Sequence, residues 1–132
     1  MEGNQEGLKI ICAEDCGNSP KKEFLKQFTI AFSKGDLSFL EEAISNDIYW
    51  NILGNEVIEG KDQFIECCKH MKSDILSEVH MKTIITHGKS GAVEGMFNMK
   101  NQKRYAFCDM FQFTGAGKNA KIKELTSYVI EI

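Results

Sequence analysis

Near Glu78 the apolar residues of this chain change their period. Before that point they recur every third or fourth position, the spacing of one helix face. After it they alternate, the spacing of one strand face. The alternating part divides into segments at about 78–87, 91–99, 103–113 and 120–131. Gly88, Lys100 to Gln102, and Gly115 to Gly117 separate them. Long strands joined by turns this short form an antiparallel meander. Helices in the first half and a sheet in the second make an α+β chain. Such a sheet must curl over the helices to bury their apolar stripes. The expected architecture is a cone-shaped α+β barrel, with three helices from the first half packed on a highly curved antiparallel sheet.

The first half supplies the helix signals. Ser19-Pro20 is a helix start, because Ser caps free N–H groups and Pro fits the first helical position. Phe24, Phe28 and Ala31, flanked by Leu25 and Phe32, form its stripe, and Gly35 ends it. Asp36 caps a second, short helix with Leu37, Leu40 and Ile44 facing inward. Asp47 to Leu53 reads as a strand, Gly54-Asn55 as a turn, and Glu56 to Glu59 as a short returning strand. Lys61 to Lys72 reads as a third helix with Phe64, Cys68 and Met71 on one face. Residues 1–18 are set apart as an N-terminal arm, in which Leu8 to Cys12 is a strand or an arm and Gly17-Asn18 a turn. Residues 19–132 form one domain, as a chain of 132 residues allows.

Composition narrows the function. The formal net charge is −3, against the clustered positive surplus of a nucleic-acid binder. No apolar run is long enough for a membrane helix, and Met1 to Leu8 are polar and acidic, unlike a signal peptide. The cysteines Cys12, Cys16, Cys67, Cys68 and Cys108 are odd in number and show no framework spacing, which points to a reducing cytoplasm. His70, His80 and His87 have no metal-ligand spacing, and Cys12 and Cys16 are at best a weak one, so neither metal nor cofactor is expected. Gly115 to Lys118 lies between strands, not before a helix, and reads as a turn and not a phosphate loop.

The faces of the sheet carry the chemistry. One face of 103–113 holds Tyr105, Phe107, Asp109, Phe111 and Phe113; the other holds Ala106, Cys108, Met110 and Gln112. The bulky set suits the inside of the cone. The second set is smaller but still largely apolar, which implies a covered outer face and a sheet-to-sheet homodimer. Asp109 is a carboxyl inside an aromatic row, so it is either a structural group bonded to backbone or a group with a raised pKa. If Asn101-Gln102 centres the hairpin turn, Glu94 lies opposite Asp109, Met96 opposite Phe107 and Asn98 opposite Tyr105. Two carboxyls on one buried face would then share a proton. Tyr49 and Asn51 share one face of the first strand and Trp50 takes the other. Asn51 offers both donor and acceptor for orienting a substrate.

These residues resemble a known family. The helix end Phe32-Ser33-Lys34-Gly35-Asp36, the strand from Asp47 to Gly54, Ile58 to Lys61, the strand Tyr105 to Phe113, and then Lys121-Ile122 and Ser127-Tyr128 are similar to the nuclear transport factor 2-like superfamily, and within it to SnoaL-like polyketide cyclases. The likeness runs from about Pro20 to Ile132. It implies a conical pocket and, often, a homodimer. It also implies a choice among isomerases, cyclases, epoxide hydrolases, dehydratases and non-catalytic binding or docking domains. The stretch Cys108 to Lys118 resembles the ketosteroid isomerase segment that carries its oxyanion-hole acid, and Asp109 falls on that acid. Phe28 stands where that family has its oxyanion tyrosine, and Asn51 where it has its general base. Tyr49-Trp50-Asn51 resembles the water-positioning Tyr-x-Asn of limonene epoxide hydrolase, but Ser127 stands where its second aspartate falls, and 91–99 contains no Arg.

The resulting expectation is a pocket protein that binds a small apolar or cyclic molecule. In one version it performs acid/base chemistry of the isomerase, cyclase or hydrolase type, with Glu94 as base and Asp109 as proton donor. Tyr49, Trp50, Asn51, Met96, Phe107, Phe111 and Ser127 contact the substrate. In the other version the same fold is a non-catalytic ligand-binding or protein-docking domain. An enzyme or carrier predicts a cavity of about 300 Å³ or more, and a docking domain a cone filled by aromatics. No nucleic-acid or membrane partner is expected.

Overall fold

A computed structural model describes residues 7–13, 19–71 and 75–132. In chain order its elements are β1 (Lys9–Cys12), α1 (Pro20–Lys34), α2 (Leu37–Ala43), β2 (Ile44–Ile52), β3 (Glu56–Glu59), α3 (Lys61–His70), β4 (Leu76–His87), β5 (Ser90–Met99), β6 (Arg104–Phe113) and β7 (Ile122–Glu131). Cys16 and the Gly17-Asn18 turn signal lie outside the described residues, as does Lys72, the expected last residue of the third helix.

The helix boundaries follow the capping residues. Ser19 Oγ accepts from the Lys22 N–H at 3.3 Å, and Pro20 opens α1. Gly35 closes it with φ 76°, a left-handed conformation that glycine enters without a steric penalty. The Asp36 carboxylate then accepts from the Phe39 N–H at 3.2 Å. α2 is shorter than its apolar spacing suggests. It stops at Ala43, and Ile44 opens β2, where it pairs with Ile122. Ile44 is buried either way, so its apolar spacing does not distinguish helix from strand, and pairing with Ile122 does.

The strands form one seven-stranded sheet in the order β1-β4-β5-β6-β7-β2-β3. The expected meander β4 to β7 is present and antiparallel. The sheet as a whole is mixed, because β1 runs parallel to β4 and β2 parallel to β7. It is also open, with β1 and β3 as its edges. β1 falls within the segment set apart as an arm, and it extends the sheet. α1 packs on β4 and β5, and α3 on β2 and β3. The core between them includes Leu25, Phe28, Leu40, Ile48, Trp50, Phe64, Phe111 and Phe113.

The β5–β6 register differs from expectation by one residue. Val93 lies opposite Asp109, Glu94 opposite Cys108, Met96 opposite Ala106 and Asn98 opposite Arg104. The turn is the cause. The Gln102 N–H donates to the Met99 carbonyl at 3.0 Å and the Met99 N–H to the Lys103 carbonyl at 2.8 Å. Gln102 takes φ 80°. This is a three-residue loop ending in a left-handed residue, not a two-residue turn centred on Asn101-Gln102. One residue of slip reverses the face of every side chain on the partner strand.

The Gly115 to Gly117 loop is a turn held by its carbonyls. Lys21 Nζ donates to Gly115 O at 3.4 Å, Ala116 O at 2.9 Å and Gly117 O at 3.1 Å, and sits 4.6 Å from the Phe113 ring centre. A phosphate loop would present N–H groups instead. Cys67, Cys68 and Cys108 are free thiols, whereas Cys12 is disulfide-bonded, which the spacing of the cysteines did not suggest. Among the described residues no helix is long and apolar enough to cross a membrane.

Candidate functional site

The covered face of the sheet is not filled. A cavity of about 490 Å³ lies between the sheet and helices α1 and α3. Its walls are mostly apolar: Phe28 and Phe32 from α1, Trp50 and Ile52 from β2, Val79 from β4, Phe97 from β5, Phe107 from β6, and Leu125 from β7. His70, Met71, Ile75 and Val129 also line it and are all partly exposed, so the mouth is apolar but for the His70 imidazole.

Several lining groups look polar but have spent their hydrogen bonds. Thr29 Oγ1 donates to the Leu25 carbonyl at 3.0 Å, and Ser33 Oγ to the Thr29 carbonyl at 2.8 Å. Both hydroxyls are committed to the helix backbone. Burial pushes the Cys68 thiol up to about 12, with neighbouring Cys67 adding to the effect, so Cys68 stays neutral.

Asp109 is different. In register across the sheet, Ile84, Val93, Asp109, Ser127 and Ile52 form one inward row. The carboxyl has an apolar neighbour on β5 and a hydroxyl on β7. Burial raises its pKa from 3.8 to about 6, and the hydrogen bond from the Ser127 side chain pulls in the opposite direction. Ser127 Oγ also accepts from Trp50 Nε1 at 2.9 Å. An indole N–H can only donate, so the Ser127 hydroxyl is left to donate its own proton onward to Asp109. Trp50, Ser127 and Asp109 therefore form a directed chain that ends at a carboxyl in the cavity wall. Ring contacts hold the indole, with Phe64 at 5.0 Å and Phe32 at 5.7 Å between centroids.

Of the residues expected at the site, Asp109, Trp50, Phe107 and Ser127 line the cavity. Glu94 does not. The shifted register puts it on the outer face, half exposed and 4.0 Å from Lys82 Nζ, so there is no Glu94–Asp109 carboxyl pair. Met96 moves to the outer face for the same reason, opposite Ala106. Tyr49 and Asn51 also face outward. Ile48, Trp50 and Ile52 are the inward set of β2, because burying the indole and its apolar neighbours outweighs burying a phenol and an amide. Phe111 points inward but does not line the cavity; it is fully buried and edge-on to Phe28 at 5.6 Å. Val79, Phe97, Leu125 and Val129 were not anticipated at the cavity. Leu125 and Val129 share the alternation of Ser127, and that period was the available signal. Among the described residues no group of three or more His, Cys, Asp or Glu is placed to hold a metal ion.

No protein-family model matches this chain, and no curated protein does. Solved structures do. A nuclear transport factor 2-like protein of unknown function from Cytophaga hutchinsonii is 25% identical, with TM-score 0.66 over 82% of this chain and 97% of that one. A putative ketosteroid isomerase from Kribbella flavida is 10% identical, with TM-score 0.72 over 86% of this chain and 79% of that one. An LEH-like epoxide hydrolase from M. tuberculosis is 16% identical, with TM-score 0.66 over 82% of this chain and 80% of that one.

Proposed function

We propose, from a chain with the nuclear transport factor 2-like fold, that it binds one small, largely apolar molecule whose single hydroxyl or carbonyl rests on Asp109. The observation that carries this reading is one carboxyl of raised pKa in the wall of a mostly apolar 490 Å³ cavity. Apolar walls supply affinity, and a few placed polar groups supply orientation. Ser127 occupies part of the carboxyl, and a carboxylate has acceptor capacity beyond one bond. A ligand hydroxyl donates to that capacity when Asp109 is ionised, and a ligand carbonyl accepts from the carboxyl when it is protonated.

A carboxyl that titrates near 6 also suits proton transfer close to neutral pH. With Glu94 on the other face, chemistry in this cavity runs through one carboxyl, which takes a proton from one atom of the ligand and returns it to another. Isomerisation fits that limit better than a mechanism needing two carboxyls. The acid/base role of Asp109 remains part of the proposal, and that of Glu94 does not.

The partner we propose is a second copy of the chain on the outer sheet face. Across that face Ile85, Ala92, Met110, Thr126, Asn51 and Val57 lie in one register row, and Met96, Ala106 and Ile130 in another. Ile85 is 58% exposed, Ile130 67% and Tyr128 46%. A sheet face with two such rows, one on either side of Glu94, can pair with itself under a two-fold axis.

A thermal-shift panel tests the ligand reading. It pairs flat apolar molecules bearing one hydroxyl or carbonyl with the parent hydrocarbons. A ligand at a hundred times its Kd stabilises the folded state by about 2.7 kcal/mol. The expected result is stabilisation by the polar members, reduced to the level of the hydrocarbons in Asp109→Leu, which leaves neither donor nor acceptor at that position. A panel with no stabilising member, or equal shifts in native protein and variant, would overturn it.

A further inference from the structure

We infer that the chain has a second, smaller binding site, for an oxyanion that carries its own hydroxyl, at the β5–β6 hairpin. A cavity of about 250 Å³ lies there, lined by Ser77, Asn98, Met99, Lys100, Gln102 and Arg104. This site does not depend on the ligand proposed for the larger cavity.

The first observation is an orphan. Asn98 Oδ1 is buried and has no hydrogen-bond partner. Buried polar atoms in folded proteins are nearly always paired, so an unpaired acceptor calls for a donor from elsewhere. Ser77 does not supply it, because its hydroxyl donates to the Asn98 main-chain carbonyl at 3.3 Å. The second observation is charge. Lys100 and Arg104 are the ionisable residues of the lining, and Glu78, the β4 partner of Asn98, stands on the same face outside it. Arg104 is the direct cross-strand partner of Asn98, so guanidinium and amide leave the sheet on the same face. The third is the backbone. Gln102 holds φ 80° without being glycine, and Ser77 sits where β4 shifts register between Leu76 and Glu78. Local conformational cost of this kind concentrates at binding sites.

Two cations require negative charge, and an orphan acceptor requires a donor. A 2-hydroxycarboxylate offers both in one small molecule. Its carboxylate oxygens accept from Arg104 and Lys100, and its hydroxyl donates to Asn98 Oδ1. A plain carboxylate satisfies only the cations.

The test is a nitrogen-15 NMR titration of the full chain with lactate and, separately, with propionate, which lacks the hydroxyl. We expect lactate to move the Asn98 side-chain amide and the Gln102 backbone signal saturably, with propionate at least about tenfold weaker. Arg104→Gln, an exposed change, weakens lactate by a similar factor. Asn98→Leu abolishes the preference for lactate and, by removing the orphan, does not lower the melting temperature. Three results would overturn the inference: no saturable change with either anion, equal affinity for both in the native protein, or changes confined to signals around Asp109.

Discussion

At Asp109, the pKa has a consequence for stability as well as for binding. The folded state holds the proton more tightly than the unfolded chain, about 6 against 3.8. The associated stabilisation is complete below about pH 4 and is lost as pH rises through 6. Above that, ionised Asp109 carries a penalty of up to about 3 kcal/mol. Asp109→Asn cannot ionise. Relative to the native protein, the variant therefore gains up to about 3 kcal/mol between pH 4 and pH 8, as read from urea midpoints at the two values. A difference independent of pH would mean that Asp109 is solvated. Ser127→Ala acts on the same chain of bonds. It leaves the buried Trp50 indole N–H without an acceptor and is expected to cost about 1–3 kcal/mol at neutral pH. The same change removes a donor that favours ionised Asp109, so the carboxyl titrates higher still in this variant.

Among the elements, β4 and β5 show how the inner face is bent around the cavity. β4 shifts register between Met81 and Thr83, and Gly95 stands opposite Met81 on β5. A methyl group at Gly95 would land on the His80 carbonyl oxygen and against Met81 Cα. The strands approach this closely because residue 95 has no side chain. Gly95→Ala is expected to cost about 1–3 kcal/mol in denaturant unfolding, since backbone and not a flexible side chain must move. This close approach was invisible in sequence, where Gly95 is one glycine inside an alternating segment. The strands themselves were legible, because period 2 persists through each of them and the turn residues interrupt it. Register was not. Whether Glu94 or Val93 faces Asp109 depends on the Lys100 to Gln102 loop, whose left-handed residue is a glutamine, not the glycine that would announce it. Asp109 was identifiable from its aromatic row. Its true neighbour, Ser127, could be placed beside it only once β7 was paired with β6.

Over the whole molecule, one sheet has two different faces. The inner face and the helices enclose the cavity, and the outer face carries the exposed rows that end in Ile130 and Val57. If two copies meet through those rows, a charge placed in one of them must break the pair while leaving the cavity intact. Ile130→Asp is expected to convert a dimer into a monomer in sedimentation equilibrium, with the melting profile of the isolated chain preserved. A native protein that sediments as a monomer at all concentrations would remove the second copy from the account. Cavity and outer face are separate surfaces of one sheet, so ligand binding is expected to survive in the monomeric variant.

The central claim is that a carboxyl held in an apolar cavity anchors the ligand. The most direct measurement is a carbon-13 NMR titration of the Asp109 carboxyl, alone and with 2-naphthol, a flat apolar molecule with one hydroxyl. The account predicts a midpoint near 6 for the protein alone, and a saturable displacement of that midpoint when 2-naphthol is present. A midpoint near 3.8, unmoved by 2-naphthol, would contradict it.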